Sequence, residues 1–414
     1  MEFKRVVITG LGAVTPIGNN VADYWSGLIA GKSGLGPITR WDTSNHTVRI
    51  CGHVKDFNPE DHFEKKEIKK LEFFTQYSVV AAREAFKQSG LDITKHDPHE
   101  IGVLMGVGMG GVETIENQHE VLMNRGPGRV TPFLVPKMIP NMSSGMISID
   151  LGLKGPNSAV ATACASASHA IGDAWRIIQR GDAIAMVCGG AESVISPLSI
   201  AGFSNMGALS TDNDNPTAAS RPFDATRNGF VMGEGAGILV LEELEHAKKR
   251  GANILAEFVG YGLTGDAFHI TSPGPGGEGG ARAMNMALRT AGLKPEDVDY
   301  VNAHGTSTPL NDKLETQAIK TVFGDHASKL KISSNKSMIG HLIGAAGGVE
   351  AVASVMTIRE GRIPATMNLH NPDPECDLDY VPNQSIQHEV NVAISNNLGF
   401  GGHNATIVIK KYND

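Results

Sequence analysis

Short apolar runs rich in Val and Ile alternate with stretches of helical periodicity along the whole chain. The runs Arg5–Gly10, Ile101–Val107, Ser158–Ala163, Ala185–Gly189, Ile238–Glu242, Ile254–Gly262, Asp299–Ala303, Lys331–Ser334, Val392–Ser395 and Thr406–Lys410 predict strands. Between them, the pattern predicts helices over Val21–Ala30, Lys66–Ser89, Ala165–Arg180, Gly280–Ala291, Asp312–Phe323 and Gly347–Glu360. Strands that are apolar throughout must be covered on both faces, so the alternation implies α/β layers. A charged helix carrying Glu243, Glu245, Lys248, Lys249 and Arg250 stops at Gly251, and a fresh strand follows. That break divides the chain into 1–250 and 251–414, two halves of similar layered design. No low-complexity linker separates them, so a large shared interface is expected and free hinging is not.

A length of 414 residues suits two packed units. Lys and Arg number 36 against 44 Asp and Glu, a net charge of −8, which argues against nucleic-acid binding by bulk charge. No run approaches the roughly 18–20 apolar residues of a membrane span. Met1–Gly10 reads as a strand and not as a signal peptide. Four cysteines (Cys51, Cys164, Cys188, Cys376) include no C-x-x-C pair, so neither a disulfide framework nor a zinc ribbon is on offer. A soluble cytoplasmic protein is expected. The 49 glycines are scattered among apolar runs, which implies tight turns and closely packed backbones.

Three patterns imitate ligand motifs. Gly27-Leu28-Ile29-Ala30-Gly31-Lys32-Ser33 is one residue short of a phosphate loop and follows a helical stretch, so its amides would not face a phosphate. Gly106–Gly111 and Gly260–Gly265 both match G-x-G-x-x-G, but neither is followed by the acidic residue a dinucleotide site needs; both read as tight turns. Fifteen histidines include no H-E-x-x-H, and no metal site is expected.

The informative stretch is Ser158-Ala159-Val160-Ala161-Thr162-Ala163-Cys164-Ala165-Ser166-Ala167-Ser168-His169-Ala170. A strand ends, and a helix of small residues begins at once, placing Cys164 on a sharp turn at a helix N-terminus. The partial charge there, about +0.5, favours a thiolate, so Cys164 is the candidate nucleophile and the other three cysteines are inert core. Asn302-Ala303-His304-Gly305-Thr306-Ser307-Thr308-Pro309 puts an imidazole at a strand end. Ser334-Asn335-Lys336-Ser337-Met338-Ile339-Gly340-His341 repeats the device with a lysine ahead of the second histidine. Layered α/β folds gather their sites at strand C-termini, so these groups can converge. Asn396-Asn397-Leu398-Gly399-Phe400-Gly401-Gly402 lies between two strands, and its glycines let amides turn into a cavity as an oxyanion hole.

Together these segments resemble the β-ketoacyl-acyl-carrier-protein synthases, the elongating condensing enzymes with the thiolase fold. The likeness covers essentially the whole chain. Initiating relatives carry Asn where His341 stands, thiolases have a second cysteine near Gly399-Phe400-Gly401, and non-condensing chain-length factors lack the cysteine kept here as Cys164. Met109, a bulky apolar residue near the acyl pocket, is similar to the type II branch. Ile339 and His403 depart from the threonines common at their positions.

The resemblance implies a thiolase-like fold, two α/β halves layered αβαβα, and a homodimer. It implies that Cys164 takes an acyl group from the carrier protein's phosphopantetheine, with no cofactor of the enzyme's own. The amides of Cys164 and Phe400 would hold the oxyanion, and His304 and His341 would stabilise the enolate left by decarboxylation of malonyl-carrier protein. Met109, Phe203, Thr306, Thr308, Gly399 and Gly401 would contact substrate, and Phe400 would act as a movable gate. Lys336 is expected to orient the site by pairing with Glu350 or Asp312. An acidic carrier needs a basic patch, and Lys65, Lys66, Lys69 and Lys70 supply one, with the last three on one helical face. The competing readings are a type I or polyketide synthase, a thiolase, a cysteine hydrolase, and a non-catalytic partner subunit.

Overall fold

The computed structural model describes residues 3–413. Ten strands form one hydrogen-bonded sheet: β1 (Val6–Val14), β2 (Ile101–Gly106), β3 (Asn157–Val160), β4 (Ala185–Glu192), β5 (Gly235–Glu243), β6 (Ala256–Gly265), β7 (Tyr300–Asn302), β8 (Lys331–Ser333), β9 (Val392–Gly399) and β10 (His403–Lys410). Their order is β8-β7-β9-β10-β6-β1-β5-β4-β2-β3. Read outward from the centre, both halves run first, fifth, fourth, second, third. In both, the second strand pairs in parallel with its two neighbours and the remaining pairings are antiparallel. The halves join where Val6–Ile8 pair with Ala256–Phe258.

Five helices complete the layers: α1 (Phe73–Ser89), α2 (Ser166–Arg180), α3 (Glu278–Ala291), α4 (Pro309–Phe323) and α5 (Ala346–Glu360). Helices α2 and α5 touch each other and strands of both halves, forming the middle layer. Helix α1 covers β1, β4 and β5 on one outside, while α3, with α4 against it, covers β6 and β10 on the other. This is the αβαβα arrangement. Strands β1, β2, β4 and β5 are buried on both faces, hence their largely apolar runs. Small residues set the spacing: a Cβ on Gly12 would stand 1.8 Å from the Ala81 carbonyl oxygen of α1, and one on Gly237 2.2 Å from Gly348 of α5.

Three expectations need correction. The helix expected over Lys66–Ser89 is two: a turn at Lys65–Ile68, closed by a Glu64/Glu67 capping box, and α1. Leu71 and Glu72 are buried between them, and Glu72 is extended so that its carboxylate can take the Thr114 hydroxyl. Lys69 keeps helical backbone angles and Lys70 N–H donates to Glu67 O at 2.8 Å, so Lys66, Lys69 and Lys70 share a single helical turn and not the face of a long helix. Gly260–Gly265 is not a turn but the interior of β6, where a Cβ at Gly262 would meet the Ala283 carbonyl of α3 at 2.0 Å. The helices Val112–Arg125, Met142–Leu151 and Pro197–Asn205 were not expected, because they sit at the periphery and bury few side chains.

Candidate active site

Four strand ends bring the site together. Cys164 lies just beyond β3, His304 beyond β7, His341 beyond β8 and Phe400 beyond β9. Cys164 occupies a short 3-10 turn, Ala163–Ala165, before α2. Ala163 takes a left-handed φ of 50°, a conformation that costs roughly 1–3 kcal/mol in a non-glycine residue. Ser166 holds it, accepting the Thr162 N–H at 2.9 Å and donating to the Ala163 carbonyl at 2.7 Å. The other half repeats the turn at Ile343–Ala345 before α5, with Ile343 at φ 46° and Gly344 in the cysteine's place.

His341 Nε2 lies 3.0 Å from Cys164 Sγ. Its backbone is pinned by its N–H to Val231 O at 2.7 Å and by its own carbonyl, which accepts the Gly233 N–H at 2.9 Å. His304 stands nearly perpendicular to it, ring centres 5.4 Å apart. Glu315 of α4 fixes the His304 loop by accepting the amides of His304 and Gly305, both at 2.8 Å. Ligating atoms of Cys164, His304 and His341 fall within 4.8 Å of one another, and all three residues are buried. Burial first, and the nearby Lys336 ammonium second, hold both imidazoles well below the usual histidine range, so they are neutral at pH 7.

Lys336 is fully buried and donates to Glu350 of α5, whose other oxygen accepts from Asn397 Nδ2 at 2.7 Å. Asp312 is not its partner. That carboxylate accepts the Phe223 N–H at 2.9 Å and faces Arg227 at 3.5 Å, supporting the neighbouring loop instead.

The thiol also departs from expectation. Burial pushes Cys164 up to about 11, outweighing the opposing pull of the Lys336 charge and the backbone amides of Phe400 and Cys164. The resting group is a thiol. Alkylation by iodoacetamide should therefore rise about tenfold per pH unit from 7 to 10; a plateau near pH 7 would contradict this. Cys51, Cys188 and Cys376 are buried free thiols pushed up by the same cause.

The cysteine opens into a cavity of about 640 Å³ lined by Met109, Phe203, Phe230, Thr306, Thr308, Ile343, Gly399 and Phe400, among others. The hydroxyls of Thr306 and Thr308 meet at 3.0 Å. The ring of Phe400 is half-buried, 6.3 Å from that of Phe203, on a hinge in which Gly401 and Gly402 take φ of 80° and 75°. Gly399 packs over the cysteine turn, where a Cβ would come 2.8 Å from Thr162 O. Lys65, Lys66, Lys69 and Lys70 are exposed and outside the cavity; Lys65 pairs with Glu60 and Lys66 with Glu64. Sequence reasoning missed Glu315, Asn397 and Phe230, whose ring packs edge-on to His341. Of these only Asn397, inside the glycine loop motif, carried a local signal.

Residues 3–247 match the family model described as "Beta-ketoacyl synthase, N-terminal domain", and 255–370 match "Beta-ketoacyl synthase, C-terminal domain". The 3-oxoacyl-[acyl-carrier-protein] synthase 2 of Synechocystis is 56% identical over 412 residues, covering 100% of this chain and 99% of that protein. The protein of the same name from Staphylococcus aureus strain COL is 56% identical over 411 residues, covering 99% of each chain. Among solved structures, the ishigamide ketosynthase/chain length factor superposes with a TM-score of 0.92 at 37% identity, covering 99% of this chain and 100% of that one. A type II polyketide ketosynthase in complex with its acyl-carrier protein gives 0.92 at 34%, with the same coverage.

Proposed function

The chain belongs to the β-ketoacyl synthase family, and on that premise we propose how its residues divide the reaction. The chemistry is a decarboxylative condensation: malonyl-carrier protein and an acyl chain give 3-oxoacyl-carrier protein two carbons longer plus CO2, the elongation step of fatty acid synthesis. The observation that carries the division is a thiol 3.0 Å from one neutral imidazole, with a second imidazole alongside, at the head of a cavity.

In the first stage the Cys164 thiol attacks the acyl thioester while its proton passes by way of His341 to the departing pantetheine sulfur. The amides of Cys164 and Phe400 stabilise the oxyanion; one such donor contributes about 3–4 kcal/mol. Acylation removes the S–H, and with the ring proton shifted from Nδ1 to Nε2 His341 turns from acceptor to donor for the second stage. Malonyl thioester then loses CO2, and its electron pair moves onto the thioester oxygen, held by N–H groups of His304 and His341. Neutral imidazoles suit this step, because they polarise the oxygen without locking the malonate carboxylate into an ion pair. The enolate carbon attacks the acyl-cysteine, expelling the thiolate, which takes up one proton. The sulfur must be free to acquire the acyl group, so the trio works without a resident metal or cofactor. Thr306 and Thr308 bind the pantetheine arm, Met109 and Phe203 line the acyl chain, and Gly399 and Gly401 let Phe400 swing.

The carrier docks on the exposed lysines at 65–70. Lys66→Glu with Lys69→Glu should raise KM for acyl-carrier protein several-fold at low salt and little at high salt; an unchanged KM at low ionic strength would refute the docking site. A second copy of the chain covers the β3 edge. The equivalent edge, β8, is occupied by Ile332 N–H donating to Asp379 O at 2.9 Å, whereas Asn157 and Ser158 of β3 are exposed, near Ile149 at 71% exposure. Light scattering should give twice the chain mass, and Ala159→Pro, which removes an N–H from the open edge and leaves those that pair with β2, should reduce it to one. The boundary between halves lies at 250/251, supported by the repeated strand order. No helix among the described residues is long and apolar enough to cross a membrane, and four free buried thiols suit a reducing cytoplasm.

A further inference from the structure

Gly106-Val107-Gly108-Met109-Gly110-Gly111 has the spacing of an anion-binding loop, and its amides hold a carboxyl group supplied by the protein itself. Glu192, the last residue of β4, is fully buried. Its carboxylate accepts the N–H of Gly108 at 2.7 Å, of Met109 at 3.3 Å and of Gly110 at 3.1 Å. From the other half of the molecule it accepts Gly344 N–H at 3.1 Å. A Cβ on Gly108 would stand 2.7 Å from Glu192 Oε2, and one on Gly344 2.6 Å, so the approach requires glycine on both sides. Backbone dipoles alone hold the carboxylate, and burial pushes it up to about 7.

The two segments it ties together wall the cavity: Gly108 and Met109 on one side, Ile343 on the other. Glu192 itself does not line it. Met109 and Ile343 come from loops of different halves, and they meet the acyl chain in a fixed relation only while a group between the loops binds both. We propose that Glu192 is a positioning residue for acyl-chain selection, acting through Met109 and Ile343 to set which chain lengths the cavity admits. This rests on the reading of the cavity as the acyl site.

The test is the acylation of Cys164 by acyl-carrier proteins of graded length, read by intact-protein mass spectrometry. Glu192→Gln keeps the volume but replaces one acceptor oxygen with an NH2 that faces N–H donors. For chains of ten carbons or more, KM should change at least tenfold. For acetyl and butyryl chains, and for CO2 release from malonyl-carrier protein alone, the change should stay under threefold. Combined with Met109→Ala, the effects on the long-to-short ratio should be non-additive, because one residue acts through the other. If Glu192→Gln does not fold, Glu192→Asp, which keeps the charge but shortens its reach, should change the ratio in the same direction. An equal change at every length, no change at any length, or strict additivity with Met109→Ala would overturn the assignment. Failure of the unmodified enzyme to acylate at Cys164 would overturn the reading of the site beneath it.

Discussion

Cys164→Ala should abolish condensation and leave CO2 release from malonyl-carrier protein measurable. The sulfur's task is to hold the acyl group, whereas decarboxylation needs only N–H donors at the thioester oxygen, and both imidazoles remain. His304→Ala and His341→Ala should do the converse. Losing one preorganised donor to a developing oxyanion costs on the order of 100-fold or more, so CO2 release should fall by at least that factor in each. His304→Ala should still acylate Cys164 at a near-normal rate, because the hydrogen bond to the sulfur is made by His341 and not by His304. His341→Ala should also slow acylation, since its Nε2 is the group 3.0 Å from the sulfur. Radiolabelled CO2 release and the mass of the acyl-enzyme read the two stages separately. Condensation by Cys164→Ala, or normal decarboxylation by either histidine variant, would refute the division.

The largest loss of stability should follow Lys336→Ala. Lys336 and Glu350 are each 1% exposed, and removing one partner of such a pair costs about 3–5 kcal/mol by leaving a charge without compensation. Burial already pushes the Glu350 carboxyl up while the ammonium pulls it down, so loss of the ammonium raises it further. A folded-state carboxyl that binds a proton the unfolded chain releases loses stability as pH rises. The deficit in urea unfolding should therefore be greater at pH 8 than at pH 5.5. Lys336→Met with Glu350→Gln, which keeps an acceptor for Asn397, should recover most of the stability without restoring decarboxylation. A pH-independent deficit would mean that the pair is not the source.

The central strands were legible because burial on both faces leaves a largely apolar run in each, whereas the half-exposed β3 is expected over Ser158–Ala163 and stands at Asn157–Val160. The repeat of the two halves was legible only as alternation, since strand order depends on pairings between distant segments. Cys164 stood out for a local reason: a strand running directly into a helix of alanines and serines leaves the intervening residue on a turn. Its ionisation was misjudged because helix-tip charge can be read from position, while depth of burial cannot. The same limit hid the break after Lys70, where Leu71 and Glu72 turn inward and Glu72 accepts the Thr114 hydroxyl, and made Asp312 look as good a partner for Lys336 as Glu350. Glu315 and Glu192 act on backbone amides brought to them by the fold, so no spacing announces them. The glycines of 106–111 read as a tight turn, because the carboxyl group their amides hold comes from a distant residue of the chain itself.

The most direct measurement is a single turnover of enzyme carrying a labelled acyl group on Cys164, mixed with malonyl-carrier protein and quenched over time. The label should leave the sulfur in step with CO2 release, one for one, and appear in a 3-oxoacyl-carrier protein two carbons longer. Label released as free acid, or transferred without CO2, would contradict the account.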